Sequence, residues 1–289
     1  MKRLIALVML VAMVFCACST EETPQSVNDK NSSQTKNTQK SVFEGSNKIC
    51  LFENDACSMT LTKAEIDSLS DYCWDVTLVN RTESAQIFTM KRAYVNDFDF
   101  DPLWAVRVQA GETLETKIIW QSPDMQERGI TQVTRVDFHL SVYEGDAPEN
   151  SFADTNITVY PSSKSAHIAY LRSRVTTDID IVDHDSYRFT IVAYDGDTRW
   201  GKELKIYAVN STEKRVVFKL DHVTVNDQPC DPQWSYTLDS GKQGFSSIIW
   251  FDTALEELEI TGTVQFKYDL LICDENGTVI ERIPCTFVP

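Results

Sequence analysis

The clearest alternation of apolar and polar residues runs from Val133 to Tyr143, where Val136, Phe138, Leu140 and Val142 interleave with Asp137, His139 and Ser141. A period of two marks a strand with one buried face. The same alternation returns in Val264, Phe266, Tyr268, Leu270 and Ile272. Shorter runs predict strands at Cys57 to Thr62, Trp74 to Val79, Ala85 to Met90, Leu103 to Val108, Thr113 to Trp120 and Thr155 to Tyr160. A second series follows at Tyr187 to Val192, Glu203 to Val209, Val216 to Leu220, Trp234 to Leu238, Phe245 to Trp250, Thr263 to Cys273 and Val279 to Val288. A helical turn is expected within Lys63 to Leu69.

The two series are copies. Val79-Asn80, Thr82-Glu83, Asn96, Asp101-Pro102, Trp104, Gly111 and Ile118-Ile119-Trp120 reappear, each shifted by 130, as Val209-Asn210, Thr212-Glu213, Asn226, Asp231-Pro232, Trp234, Gly241 and Ile248-Ile249-Trp250. A constant offset without insertion points to a duplicated domain. About seven short strands per copy, broken by turn residues, predict an all-β fold of two tandem immunoglobulin-like antiparallel β-sandwiches. The expected boundaries are 48-161 for repeat 1, 162-174 for a linker and 175-289 for repeat 2. The copies end alike in Thr158-Val159-Tyr160-Pro161 and Thr286-Phe287-Val288-Pro289, where the offset drops to 128.

Before the repeats, Lys2-Arg3 and an apolar run from Leu4 to Phe15 lead into Cys16-Ala17-Cys18. That is the basic start and short apolar core of an export signal, too short to span a bilayer. Phe15-Cys16-Ala17-Cys18 resembles the lipobox of bacterial lipoproteins, which implies a signal peptide at 1-17 and diacylglyceryl attachment at Cys18. Residues 18-47 are rich in Ser, Thr, Asn, Gln and Lys, and are expected to form a disordered tether. Two acyl chains anchor stably, so the expected location is the extracytoplasmic face of the cell membrane.

The formal net charge of −16 falls by two more when Lys2 and Arg3 are removed. That field repels polyanions and argues against nucleic acid as a partner. The six cysteines of the repeats, Cys50, Cys57, Cys73, Cys230, Cys273 and Cys285, allow three disulfides in fifteen connectivities, so their pairing stays open. No C-x-x-C spacing occurs, and no cofactor is expected.

Few residues suggest chemistry. Asp97, Asp99 and Asp101 alternate with Phe98 and Phe100 like an acidic calcium loop, but the second copy keeps only Asp227 and Asp231, and a solvated acidic loop is the favoured reading over a metal site. Trp104 and Trp234, with Trp120 and Trp250, are expected in the cores. The alternative for Trp104 and Trp234 is an exposed platform for a glycan or peptide. No Gly-x-Ser-x-Gly, His-Glu-x-x-His or phosphate loop is present, and none of His139, His167, His184 and His222 has a histidine at the matching position of the other copy.

Lipobox, tether and paired sandwiches together resemble the uncharacterised surface lipoproteins of Gram-positive bacteria that carry tandem immunoglobulin-like repeats. The resemblance rests on the lipobox and on Val-Asn-x-Thr, Asp-Pro-x-Trp and Ile-Ile-Trp. It implies a non-enzymatic binding or adhesion module whose partner is a protein or glycan. The alternatives are an accessory or inhibitor protein docking a secreted enzyme, or a wall-polymer hydrolase. Any difference in function between the copies is to be sought where they disagree, at Phe98 to Phe100 against Gln228 to Cys230 and at the unmatched cysteines.

Overall fold

The computed structural model describes residues 40–42, 48–161, 170–262 and 264–289. The signal segment, Cys18 and most of the tether lie outside the described residues, as do linker positions 162–169. Within Thr38–Pro289, one compact unit, the fold is all-β.

Repeat 1 contains β2 (Ile49–Glu53), β3 (Cys57–Ile66), β4 (Tyr72–Asn80), β5 (Gln86–Val95), β6 (Phe98–Asp99), β7 (Ala105–Val108), β8 (Thr113–Trp120), the helix α1 (Ser122–Glu127), β9 (Val136–Glu144) and β10 (Ala147–Tyr160). Repeat 2 contains β11 (Ile179–Asp183), β12 (Tyr187–Asp195), β13 (Gly201–Asn210), β14 (Val216–Val225), β15 (Gln228–Pro229), β16 (Ser235–Leu238), β17 (Lys242–Phe251), α2 (Asp252–Glu257), β18 (Phe266–Asp274) and β19 (Val279–Phe287). Each element of the first set has its counterpart in the second. The exception is β1 (Lys40–Val42), which runs parallel to β10 with Lys40 opposite Thr158 and Val42 opposite Tyr160.

Each repeat is a sandwich of two sheets. In repeat 1, β2-β3-β4-β8 packs on the sheet carrying β5, β9 and β10; in repeat 2, β11-β12-β13-β17 packs on β15-β14-β18-β19. Trp74 meets Phe138 edge-on across the first core at 6.1 Å between ring centroids, and Trp250 lies 4.3 Å from Phe266 in the second. Burying such rings supplies most of the drive to close the sheets.

The shared motifs are turns and core fittings. Asn80 Nδ2 donates to the carbonyls of Ser84, Val108 and Gln109 at 2.8 to 3.1 Å, and its Oδ1 accepts from Thr82 N and Oγ1. Asn210 repeats this network with Lys214, Leu238, Asp239 and Thr212. Asp101 and Asp231 each accept from the backbone N–H two residues on, at 2.8 and 2.7 Å, and hold Leu103 and Gln233 at φ of 52° and 51°. Trp120 and Trp250 are fully buried, each indole N–H donating at 3.0 Å to the carbonyl of Phe100 or Cys230.

Two expectations change. Lys63 to Leu69 is not helical: β3 continues through Ile66, with Lys63, Ala64, Glu65 and Ile66 opposite Asp75, Trp74, Cys73 and Tyr72. Strand pairing satisfies every second backbone group there, which a lone helical turn does not. Residues 40–42, assigned to the tether, form β1, because main-chain pairing to an edge strand needs no apolar sequence. The six cysteines are free thiols, five of them buried, and no two stand opposite each other in the strand registers. The short helices α1 and α2 were not expected; each follows directly on a long strand and buries a single large apolar side chain, Met125 or Leu255.

Candidate functional site

Repeats 1 and 2 share a sheet. Asn96 and Asp97, both at positive φ (51° and 69°), form the two-residue turn between β5 and β6, a geometry that follows the twist of the flanking strands. The turn carries β6 onto β17 of repeat 2, where Phe98 stands opposite Gln243 in parallel pairing and Gln243 N donates to Asp97 O at 3.0 Å. The result is a ten-stranded sheet running through both sandwiches.

Phe98 is fully buried at this seam, 5.4 Å from the Phe245 ring, 5.9 Å from Tyr170 and 6.1 Å from Tyr207. Tyr207 donates to Gln243 Oε1, and Gln243 Nε2 donates to Tyr170 O. Arg172 lies above the Tyr207 and Phe245 rings at 5.5 and 5.9 Å and is gripped by Asp178 through two hydrogen bonds of 2.6 and 2.9 Å. The described part of the linker therefore packs on the seam.

On one side of Phe98, Tyr236 of repeat 2 donates to Asp99 Oδ2 at 2.8 Å. Burial pushes the Asp99 carboxyl up to about 6, against the pull of the Tyr236 hydrogen bond, with the Asp101 charge adding to the rise. Gly244 makes the approach possible, since a Cβ there would collide with Tyr236 Oη and stand 2.7 Å from Asp99 Cβ.

On the other side is a charge cluster. Lys242, whose side chain is 8% exposed, donates from Nζ to Asp97 Oδ1 at 2.6 Å and to Asp137 Oδ2. Arg135 sits 3.3 Å from Asp97 and 2.8 Å from Asp137, and the Tyr94 ring lies 5.1 Å beneath Lys242. Two cations and two carboxylates thus neutralise one another in a half-dry setting, where removing one partner costs far more than the pair contributes.

Above this cluster opens a cleft of about 490 Å³ between β9 and β10 of repeat 1 and three loops of repeat 2. Its walls include Arg92, His139 and Thr158 on one side and Lys214, Ser240 and Glu275 on the other. Arg92 crosses the junction to Asp239 at 3.5 Å, and Asp239 N donates to Tyr94 Oη at 3.3 Å. The His139 ring is held by Asn156 at 2.9 Å and Asp154 at 2.6 Å. The cleft is lined by hydrogen-bonding groups of both signs, which suits a polar ligand or a polar protein surface rather than an apolar one.

The residues singled out in sequence are dispersed. Asp97 and Asp99 face repeat 2 and Asp101 caps its own turn, also accepting from Arg92 N at 3.2 Å, so the three do not converge on a cation. Nor is the loop fully solvated as expected: docking on repeat 2 leaves the Asp97 and Asp99 carboxylates half-buried. No group of three or more potential metal ligands occurs among the described residues. Trp104 lies in the first core and Trp234 packs on Phe189 at 6.0 Å with its N–H donating to Ser246, so the two belong to different cores and form no common platform. Sequence reasoning missed Lys242, Phe245, Tyr207 and Tyr236. A signal was present, since offset 130 places Glu112, Glu115, Thr77 and Val106 at those positions of copy 1.

No family model and no curated protein matches the chain. Among solved structures, it resembles a Salmonella enterica SafA pilin in complex with the SafB chaperone, at 9% identity over 82% of this chain and 98% of that one, with a TM-score of 0.24. It also resembles a protein of unknown function from Porphyromonas gingivalis W83, at 14% identity over 80% and 98% with a TM-score of 0.23. Red sea bream transglutaminase follows at 10% over 75% of this chain and 29% of that one, with a TM-score of 0.19. Likenesses at such TM-scores carry no argument about function. No helix among the described residues is long and apolar enough to cross a membrane.

Proposed function

We propose that the mature chain is a non-enzymatic binding or scaffold module, held by lipid on Cys18 at the extracytoplasmic face of the cell membrane. The observation that carries the binding half is the polar cleft between the repeats, walled by both and floored by the Lys242 cluster. A cleft built this way exists only while the repeats are docked, so fixing their relative position is what creates the recognition surface. The lipobox supports the anchoring half.

Two measurements test it. Metabolic labelling with palmitate should mark the wild-type chain and leave Cys18→Ser unlabelled and released from membranes; equal labelling would remove the anchor. The mature chain, immobilised, should retain a protein or glycan from wall and secreted fractions, and Lys214→Glu with Ser240→Arg should abolish that retention without altering the unfolding midpoint. Retention indifferent to both substitutions would remove the cleft as the recognition surface.

A further inference from the structure

The correspondence between the repeats breaks at one element. In repeat 1 the outer edge of β10 is filled by β1, which pairs in parallel with Thr158-Val159-Tyr160 and also lies against β2. The equivalent edge in repeat 2 belongs to Thr286-Phe287-Val288, and β19 is the terminal strand of its sheet, with β18 on its other side. Among the described residues no strand pairs with that outer edge.

The missing strand can be located. Offset 130 maps Lys40–Val42 onto Tyr170, Leu171 and Arg172, and these residues are held elsewhere. Tyr170 is tied to Gln243 and packs against Phe98, while Arg172 covers Tyr207 and Phe245. The segment that corresponds to β1 therefore packs in the seam and not against β19.

What remains is an apolar groove of about 280 Å³, lined by Ile179, Ile191 and Tyr194 from β11 and β12, by Phe287 at the end of β19 and by Val288 after it. Ile179 and Val288 are 46% and 54% exposed. A free strand edge bordering an apolar groove accepts an extended segment, with main-chain hydrogen bonds giving affinity and alternate side chains giving selection.

We infer that the β19 edge of repeat 2 takes an extended segment of a partner protein, added parallel to β19 as β1 is added to β10, with a basic residue leading into a β-branched one. The occupant's chemistry follows from β1, Lys40-Ser41-Val42, which fills the matching slot in repeat 1, and from the net charge of −16, which favours a basic segment over an acidic one. This site is separate from the cleft and does not rest on the reading given for it.

The test uses the mature chain and a synthetic peptide of residues 36–43 supplied in trans. Saturable binding is expected, with amide chemical-shift changes concentrated at Thr286 to Val288 and Ile179, and at least tenfold weaker binding in both Val288→Glu and Ile179→Glu. Both positions are exposed, so the variants should unfold at the wild-type midpoint. Shifts confined to Thr158 to Tyr160 would mean that the peptide merely exchanges with β1 and would overturn the proposal. So would no binding, binding indifferent to both variants, or self-association of the chain through β19 that excludes the peptide.

Discussion

The sharpest test of the docked architecture is Phe98→Ala. Phe98 is fully buried, and its aromatic neighbours, Tyr170, Tyr207 and Phe245, all belong to the linker and repeat 2. Removing a buried phenylalanine side chain costs about 3 to 5 kcal/mol. Because these ring contacts lie between the repeats, most of that cost should fall on the docking equilibrium. At about 1.4 kcal/mol per decade, docking would weaken by roughly a hundred- to several-thousand-fold. The counterpart in repeat 2, Gln228, is exposed, and Gln228→Ala should stay within about 0.5 kcal/mol. Urea unfolding followed by tryptophan fluorescence and far-ultraviolet circular dichroism reads the difference. Wild type and Gln228→Ala should show one coincident transition, and Phe98→Ala should show two, with earlier proteolysis in 162–174. A single unshifted transition for Phe98→Ala would refute the coupling of the repeats through β6.

Other outcomes follow from the same seam and from the turns. Asp99 binds its proton more tightly in the folded chain than the ordinary 3.8, so between about pH 4 and 6 the folded state holds more protons and stability falls as pH rises. The full difference is worth up to about 3 kcal/mol, present below that window and gone above pH 6; Asp99→Asn should flatten the dependence of the docking transition on pH. Gly244→Ala should open the seam by about 1 to 3 kcal/mol, since Tyr236 and the β6 hairpin must both retreat, and it should shift the same transition as Phe98→Ala. Asn210→Ala strips three carbonyls of their donor and should lower the stability of repeat 2 by at least about 2 kcal/mol in calorimetry, with Asn80→Ala doing the same to repeat 1. In a chain beginning after Cys18, a thiol reagent should label Cys50 alone until denaturant is added and then all six cysteines, because burial holds the Cys57 and Cys285 thiols up at about 11.

The docking site also explains the disagreement between copies at Phe98 to Phe100 and Gln228 to Cys230. Copy 1 presents Phe98 and Asp99 to a partner surface, while copy 2 presents Gln228 and Pro229 to solvent. The strand that would receive the second hairpin in another molecule, β8, carries exposed Thr113, Glu115 and Lys117 where β17 has Gln243, Phe245 and Ser247. Charges on an edge strand discourage pairing, which makes β8 a poorer acceptor for such a hairpin than β17.

Alternation, turn residues and the constant offset made the two sandwiches legible without coordinates, because strand period and turn chemistry are local properties. Asn80, Asn210, Trp120 and Trp250 could be read as turn and core fittings for the same reason: both copies need them to close. The seam was not legible. Whether Asp97 and Asp99 meet water, a cation or a neighbouring domain depends on residues more than a hundred positions away, Tyr236 and Lys242, that only chain folding brings within hydrogen-bonding distance. The same holds for the groove beside β19. The end of β19 matches the end of β10 in sequence, and only the fold shows that Tyr170 and Arg172 pack in the seam while, among the described residues, one edge is filled and the other is not.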